Sequence, residues 1–146
     1  MYNMEINKDL LESLLAEAKE NPRLRQNFDL RTSFADTSQR MLNALQPQTE
    51  VPIHQHEKTA ETVICLVGKL EEIIYEEVNG YVHEVTSYCG DVIRQKNFKE
   101  VSRQILSPAE GKFGIQIPVG AWHTINVIEP SVIFEAKDGA YRRDDR

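Results

Sequence analysis

The chain has 146 residues, 40% of them hydrophobic and 27% charged, with a formal net charge of −6. That length supports one domain with its own core and leaves no room for a second full domain. Apart from the short Tyr141-Arg142-Arg143 stretch there is no block of Lys and Arg, which excludes a phosphate backbone as partner, so no nucleic acid is expected.

Met1-Tyr2-Asn3-Met4-Glu5 has neither the basic start nor the apolar centre of a secretory signal, and no window is long and apolar enough to span a membrane. A cytoplasmic protein with no membrane partner is expected. Residues 7–20 place Leu10, Leu11, Leu14, Leu15 and Ala18 at helical spacing, with Asn7 as N-cap and Pro22 as the stop. Such a helix packs on its own domain; the alternative is a contact in a homodimer.

Residues 23–38 are polar and irregular, a loop with room for one short strand leading into the remainder of the chain. From Gln39 onward the pattern changes to short extended runs separated by turn signals, as an all-β sandwich or barrel requires. The expected strands are 39–45, 50–56, 61–67, 69–76, 81–87, a short run after Cys89-Gly90-Asp91, 113–117, 123–128 and 131–137. That is about eight, if the short run is not counted. Gly68 is read as a tight reversal, Asn79-Gly80 as a two-residue hairpin, and 94–108 as a lid or a long hairpin excursion. The two cysteines, Cys65 in an apolar run and Cys89 beside the Gly-Asp turn, fit no metal-knuckle spacing and read as reduced packing residues. His83, among polar neighbours, is expected to face solvent. The tail 142–146 is expected to fray.

The chemistry concentrates in two places. His54 and His56 stand two apart in an extended segment, so both imidazoles project to one face, and Glu61 opens the next apolar run, from which its carboxylate can swing back. About sixty residues further on, the turn Pro118-Val119-Gly120-Ala121 delivers His123. Three of the four histidines therefore fall in these two stretches. Three neutral imidazoles and one carboxylate suit one divalent transition metal, Fe, Mn, Ni, Co or Zn, and suit copper(I) or calcium poorly.

HxHxxxxExxxxxxG over 54–68, with Pro118, Gly120 and His123, resembles the two motifs of the cupin superfamily. The second motif departs at its edges, with Lys112 beside Gly111 where Gly is usual and Asn126 one place early. The resemblance implies an all-β cupin double-stranded β-helix, a jelly-roll barrel, over 39–146, with residues 1–38 as an N-terminal α-helix and linker packed on it. It also implies that the metal is held by His54, His56, Glu61 and His123. Arg23-Leu24-Arg25-Gln26-Asn27, the stretch 39–47 and the stretch 134–141 are further similar to the WbuC-type cupin fold metalloproteins, a family often associated with surface-polysaccharide gene clusters.

An open coordination position would activate a bound water or polarise a substrate oxygen, and proton transfer would then need a second group near the ion. Glu135 and Tyr141 are the named catalytic candidates. Arg23, Arg25 or Arg40 could grip a substrate phosphate or carboxylate through paired hydrogen bonds, and Gln116 could line the barrel or hydrogen-bond a ligand histidine. Trp122 is expected in the core. Three functions are compatible with these residues: an isomerase- or epimerase-like enzyme on a small sugar-type substrate (a sugar phosphate or nucleotide sugar), an Fe(II)-dependent dioxygenase, or a non-catalytic metal or carbohydrate binding module.

Overall fold

A computed structural model describes residues 4–86 and 92–139. The expected helix is α1 (Lys8–Glu20). The Asn7 side chain accepts a hydrogen bond from the Leu10 amide at 3.0 Å, and Asn21 ends the helix just before Pro22. Replacing Asn7 by Ala removes that acceptor from the first turn, and a loss of about 1 kcal/mol in urea unfolding is expected.

Among the described residues there are six strands: β1 (Arg25–Asp29), β2 (Ser38–Leu45), β3 (Glu61–Thr86), β4 (Val92–Leu106), β5 (Gly114–Ile117) and β6 (Trp122–Asp138). All pairings are antiparallel, in the order β1-β2-β6-β3-β4, with β5 added to the first half of β3. This is the cupin jelly-roll barrel with an N-terminal helix.

Several expected elements merge. The expected runs 61–67 and 69–76, and the run 81–87 as far as residue 86, are parts of the single strand β3, and Gly68 does not reverse the chain. It sits at φ +96° where the β3–β6 ladder slips register, and a Cβ there would collide with the carbonyl oxygen of Pro130 and with Ser131. Asn79-Gly80 likewise forms no hairpin: the register slips between Glu77 and Val82 while β3 runs on. Residues 94–106 are not a lid but belong to β4, paired to β3. Residues 50–56 make no strand, because only His54 bridges to a neighbour. Pro52, which has no amide hydrogen, interrupts the segment. Within 23–38, residues 25–29 form β1 and pair with β2. Cys89, Tyr141 and the 142–146 tail lie outside the described residues, as does the side chain of His83.

β3 and β6 are long enough to serve both walls of the barrel, and their ladder slips register around Gly68 and Pro130. Their two halves close on one apolar cluster: Leu45, Val63, Cys65 and Ile133 from one wall and Leu70, Leu106 and Val127 from the other, with Ile117. Burial pushes the Cys65 thiol up to about 11, so at neutral pH it is an inert packing group, as expected. On the outside of the first wall, Leu14 and Ala18 of α1 pack against Leu42, Ala44 and Val132. The helix thus spends its apolar face on its own domain. Trp122 is half-buried rather than core, its ring 5.0 Å from that of Phe98.

Candidate metal centre

The two histidine stretches meet through backbone. His54 and His123 exchange both amide-to-carbonyl hydrogen bonds, at 3.0 and 2.8 Å, and the Gly120 amide donates to the His56 carbonyl at 2.8 Å. Gly120 adopts φ +76°, a conformation that suits glycine, and the Ala121 amide closes the turn onto the Pro118 carbonyl at 3.1 Å. The Pro-Gly turn therefore docks the second stretch onto the first, and three imidazoles converge.

His54, His56 and His123 are 9%, 7% and 2% exposed, and their ring centroids lie 4.2 to 5.4 Å apart. Nδ1 of His54 donates to the Pro52 carbonyl at 2.8 Å and Nδ1 of His123 to the Ala121 carbonyl at 2.9 Å. A carbonyl can only accept, so both rings carry their proton on Nδ1 and present the Nε2 lone pair inward, the form that ligates a metal. One ligand atom from each of the three histidines lies within 4.8 Å of the others. Two metal–nitrogen bonds of about 2.1 Å reach across about 4.2 Å, so small shifts bring all three onto one ion. Glu61, 2% exposed, places one carboxylate oxygen 2.9 Å from His56 Nε2 and the other 4.0 Å from His123 Nε2. The donor set thus fits a divalent transition metal.

The inner wall above this cluster is fixed by register, since residues directly opposite in a ladder share a face. Gln39, Lys137, Glu61 and Ile117 form one row across β2, β6, β3 and β5; Met41, Glu135 and Val63 form the next. Glu135, 1% exposed, therefore faces the barrel interior with Val63. On the other wall Glu72, 2% exposed, pairs with Ile125, two residues from His123 and on its face. The sequence does not single out Glu72, because Glu71-Glu72 inside Leu70-Glu71-Glu72-Ile73-Ile74 gives no alternation to say which acid points in.

Among the described residues, Gln116, Arg25 and Arg40 are not brought to the cluster. Gln116 is exposed on β5, between half-buried Ile115 and buried Ile117. Arg25 donates to the Glu50 carbonyl at 2.7 Å and to Thr49 Oγ1 at 3.4 Å, pinning the turn before the histidines. Arg40, on the helix-side face of β2 with Leu42, reaches Asp36 at 2.6 Å. That hydrogen bond holds the Asp36 carboxyl below its ordinary 3.8. A depressed carboxylate stabilises the fold above its unfolded value and loses that contribution as pH falls through its folded value. Accordingly, any deficit in Tm of Arg40→Ala against wild type should be present at pH 6 and should close below about pH 4.

A family model described as a domain of unknown function (DUF6016) matches residues 6–87, which include α1, β1, β2, His54, His56 and Glu61. The chain belongs to the DUF6016 family. No curated protein matches the DUF6016 chain by sequence. Solved structures similar to it include KdgF from Halomonas sp., at 17% identity and TM-score 0.53, covering 86% of each chain. Oxalate oxidase in complex with the substrate analogue glycolate has 11% identity and TM-score 0.56, covering 83% of this chain and 54% of its own. E. coli ycfD has 16% identity and TM-score 0.51, with 94% and 32% covered. The DUF6016 chain thus spans about half of the oxalate oxidase chain and a third of ycfD. At these identities the likeness shows the fold alone, a cupin fold.

Proposed function

We propose that this DUF6016 chain is a metal-dependent enzyme that holds one divalent transition metal through His54, His56, Glu61 and His123. Its substrate would be a small sugar-type molecule. The observation that carries this reading is the convergence of three buried imidazoles, two of them fixed by backbone carbonyls in the tautomer that ligates. When bound, the metal would act as a Lewis acid on a substrate oxygen.

The chain's own residues supply the rest. Glu61 would complete the ligand set with an anionic oxygen. Glu135 and Glu72 place buried carboxylates on opposite walls of the same interior, where one can take a proton and the other return it, which is what an isomerase- or epimerase-like reaction needs. Those carboxylates favour catalysis over a purely binding role. The apolar cluster of Val63, Cys65, Ile117 and Ile133 fills the same interior and would exclude water from it. The residues shared with WbuC-type cupins point to sugar phosphates or nucleotide sugars of surface-polysaccharide metabolism, in the cytoplasm, as the substrate class.

Calorimetric titration of chelator-stripped protein with Fe(II), Mn(II), Ni(II), Co(II) and Zn(II) tests the metal. One equivalent should bind and raise Tm, because a ligand of the folded state stabilises it. Absence of uptake of all five rejects the reading. With Fe(II) loaded anaerobically, oxygen consumption on substrate addition would favour a dioxygenase instead.

A further inference from the structure

We propose that Gln39 is the residue that reads the substrate, its amide taking two neighbouring hydroxyls of a molecule whose other end lies at the histidine cluster. This rests on the metal-dependent function proposed for the chain and names the chemical edge that the site recognises. Gln39 is 1% exposed, yet neither its Nε2 nor its Oε1 has a hydrogen-bond partner among the described residues. Asn43, also 1% exposed and two positions beyond Met41 on the same inner face, has an Oδ1 in the same condition.

Nine in ten buried polar groups are paired, and an orphaned amide weakens a fold that Met or Leu at that position would strengthen. Folding alone therefore gives no reason for a glutamine here. Position gives one. Gln39 lies directly across Lys137 from Glu61, in one row of three adjacent strands. With strands about 4.8 Å apart, the backbones of Gln39 and Glu61 stand about 10 Å from each other, the span that a five- or six-carbon molecule held at both ends would bridge. Met41 and Glu135 underlie that space, in the next row. Lys137, between Gln39 and Glu61 on the same face, turns its Nζ to the Gly139 carbonyl at 3.3 Å.

The amide chooses the ligand chemistry. Its oxygen accepts and its nitrogen donates, so two adjacent hydroxyls, one donating and one accepting, satisfy both. A phosphate offers acceptors only and would set Oε1 against negative oxygens. Gln39 thus selects the polyol edge of a sugar rather than its phosphate.

The test uses metal-loaded full-length protein and a panel of aldohexoses, their 1-phosphates, uridine-diphosphate hexoses and the 2-, 3- and 4-deoxy analogues of each. At least one panel member should bind wild type, and removing one hydroxyl of a vicinal pair should weaken it. Gln39→Met should weaken it about tenfold or more. The variant should keep wild-type metal content, and its unliganded Tm should be equal or higher. Equal affinity in Gln39→Met overturns the proposal, as does an unliganded Tm several degrees lower, which would give the amide a structural partner. Failure of every panel member to bind wild type also overturns it. If Gln39→Met does not fold, Gln39→Glu, which keeps the shape and loses the donor, must show the same loss. Metal content separates the two readings: an ion retained with binding indifferent to residue 39 defeats this proposal alone, and a wild type without metal defeats both.

Discussion

Changing His56 or His123 to Ala should leave the purified protein nearly free of metal by elemental analysis, with affinity reduced by about a hundredfold or more. Altering a group that merely orients a ligand already costs 10- to 100-fold, and these changes delete the ligand itself. The fold should tolerate them: each removes a buried ring at the rim rather than from the cluster of Val63, Cys65, Leu70 and Ile133. Glu61→Gln should act more mildly, since it keeps an oxygen but removes the charge set between His56 and His123. Unchanged stoichiometry in His123→Ala would show that the 118–123 turn docks for structural reasons only.

The largest expected loss of stability belongs to Gly68→Ala. Two costs combine: a left-handed φ of +96°, which L side chains rarely adopt, and a methyl group placed against the Pro130 carbonyl and Ser131. Backbone strain of this kind costs about 1–3 kcal/mol and overpacking a similar amount, so about 2–6 kcal/mol is expected in urea unfolding. That is a large part of the 5–15 kcal/mol that typically separates a folded domain from its unfolded chain. Gly120→Ala provides the control. It has a comparable φ of +76° but open space around a Cβ, so only the smaller strain should appear. Equal losses at both positions would mean that the close approach at Pro130 does not matter.

The histidine cluster is readable from the sequence because its signal is local: a two-residue spacing in extended chain, an acid five residues later, and a Pro-Gly turn before the third ring. The helix is readable for the same reason. The strand count is not. Gly68 and Asn79-Gly80 carry turn chemistry, but a slip in ladder register uses the same residues as a reversal, and only the partner strand decides between them. The interior wall is hidden by a different cause. Both faces of β2 are covered, Leu42 and Ala44 by α1 and Gln39, Met41 and Asn43 by the barrel, so no alternation of polar and apolar residues marks the inner side. Where the helix docks settles it, and that is a long-range fact. Arg25 and Arg40 have the chemistry of anion grips, yet their guanidinium groups serve nearby turns.

The ribbon made by β3 and β6 has one further consequence. Since each of these strands contributes to both walls, neither wall can dissolve while the other survives; melting should follow a single cooperative transition, with far-ultraviolet and tryptophan signals superimposed. Binding that is read out as heat resistance would then report on the whole molecule at once, and every ligand screened against this protein shares one yardstick.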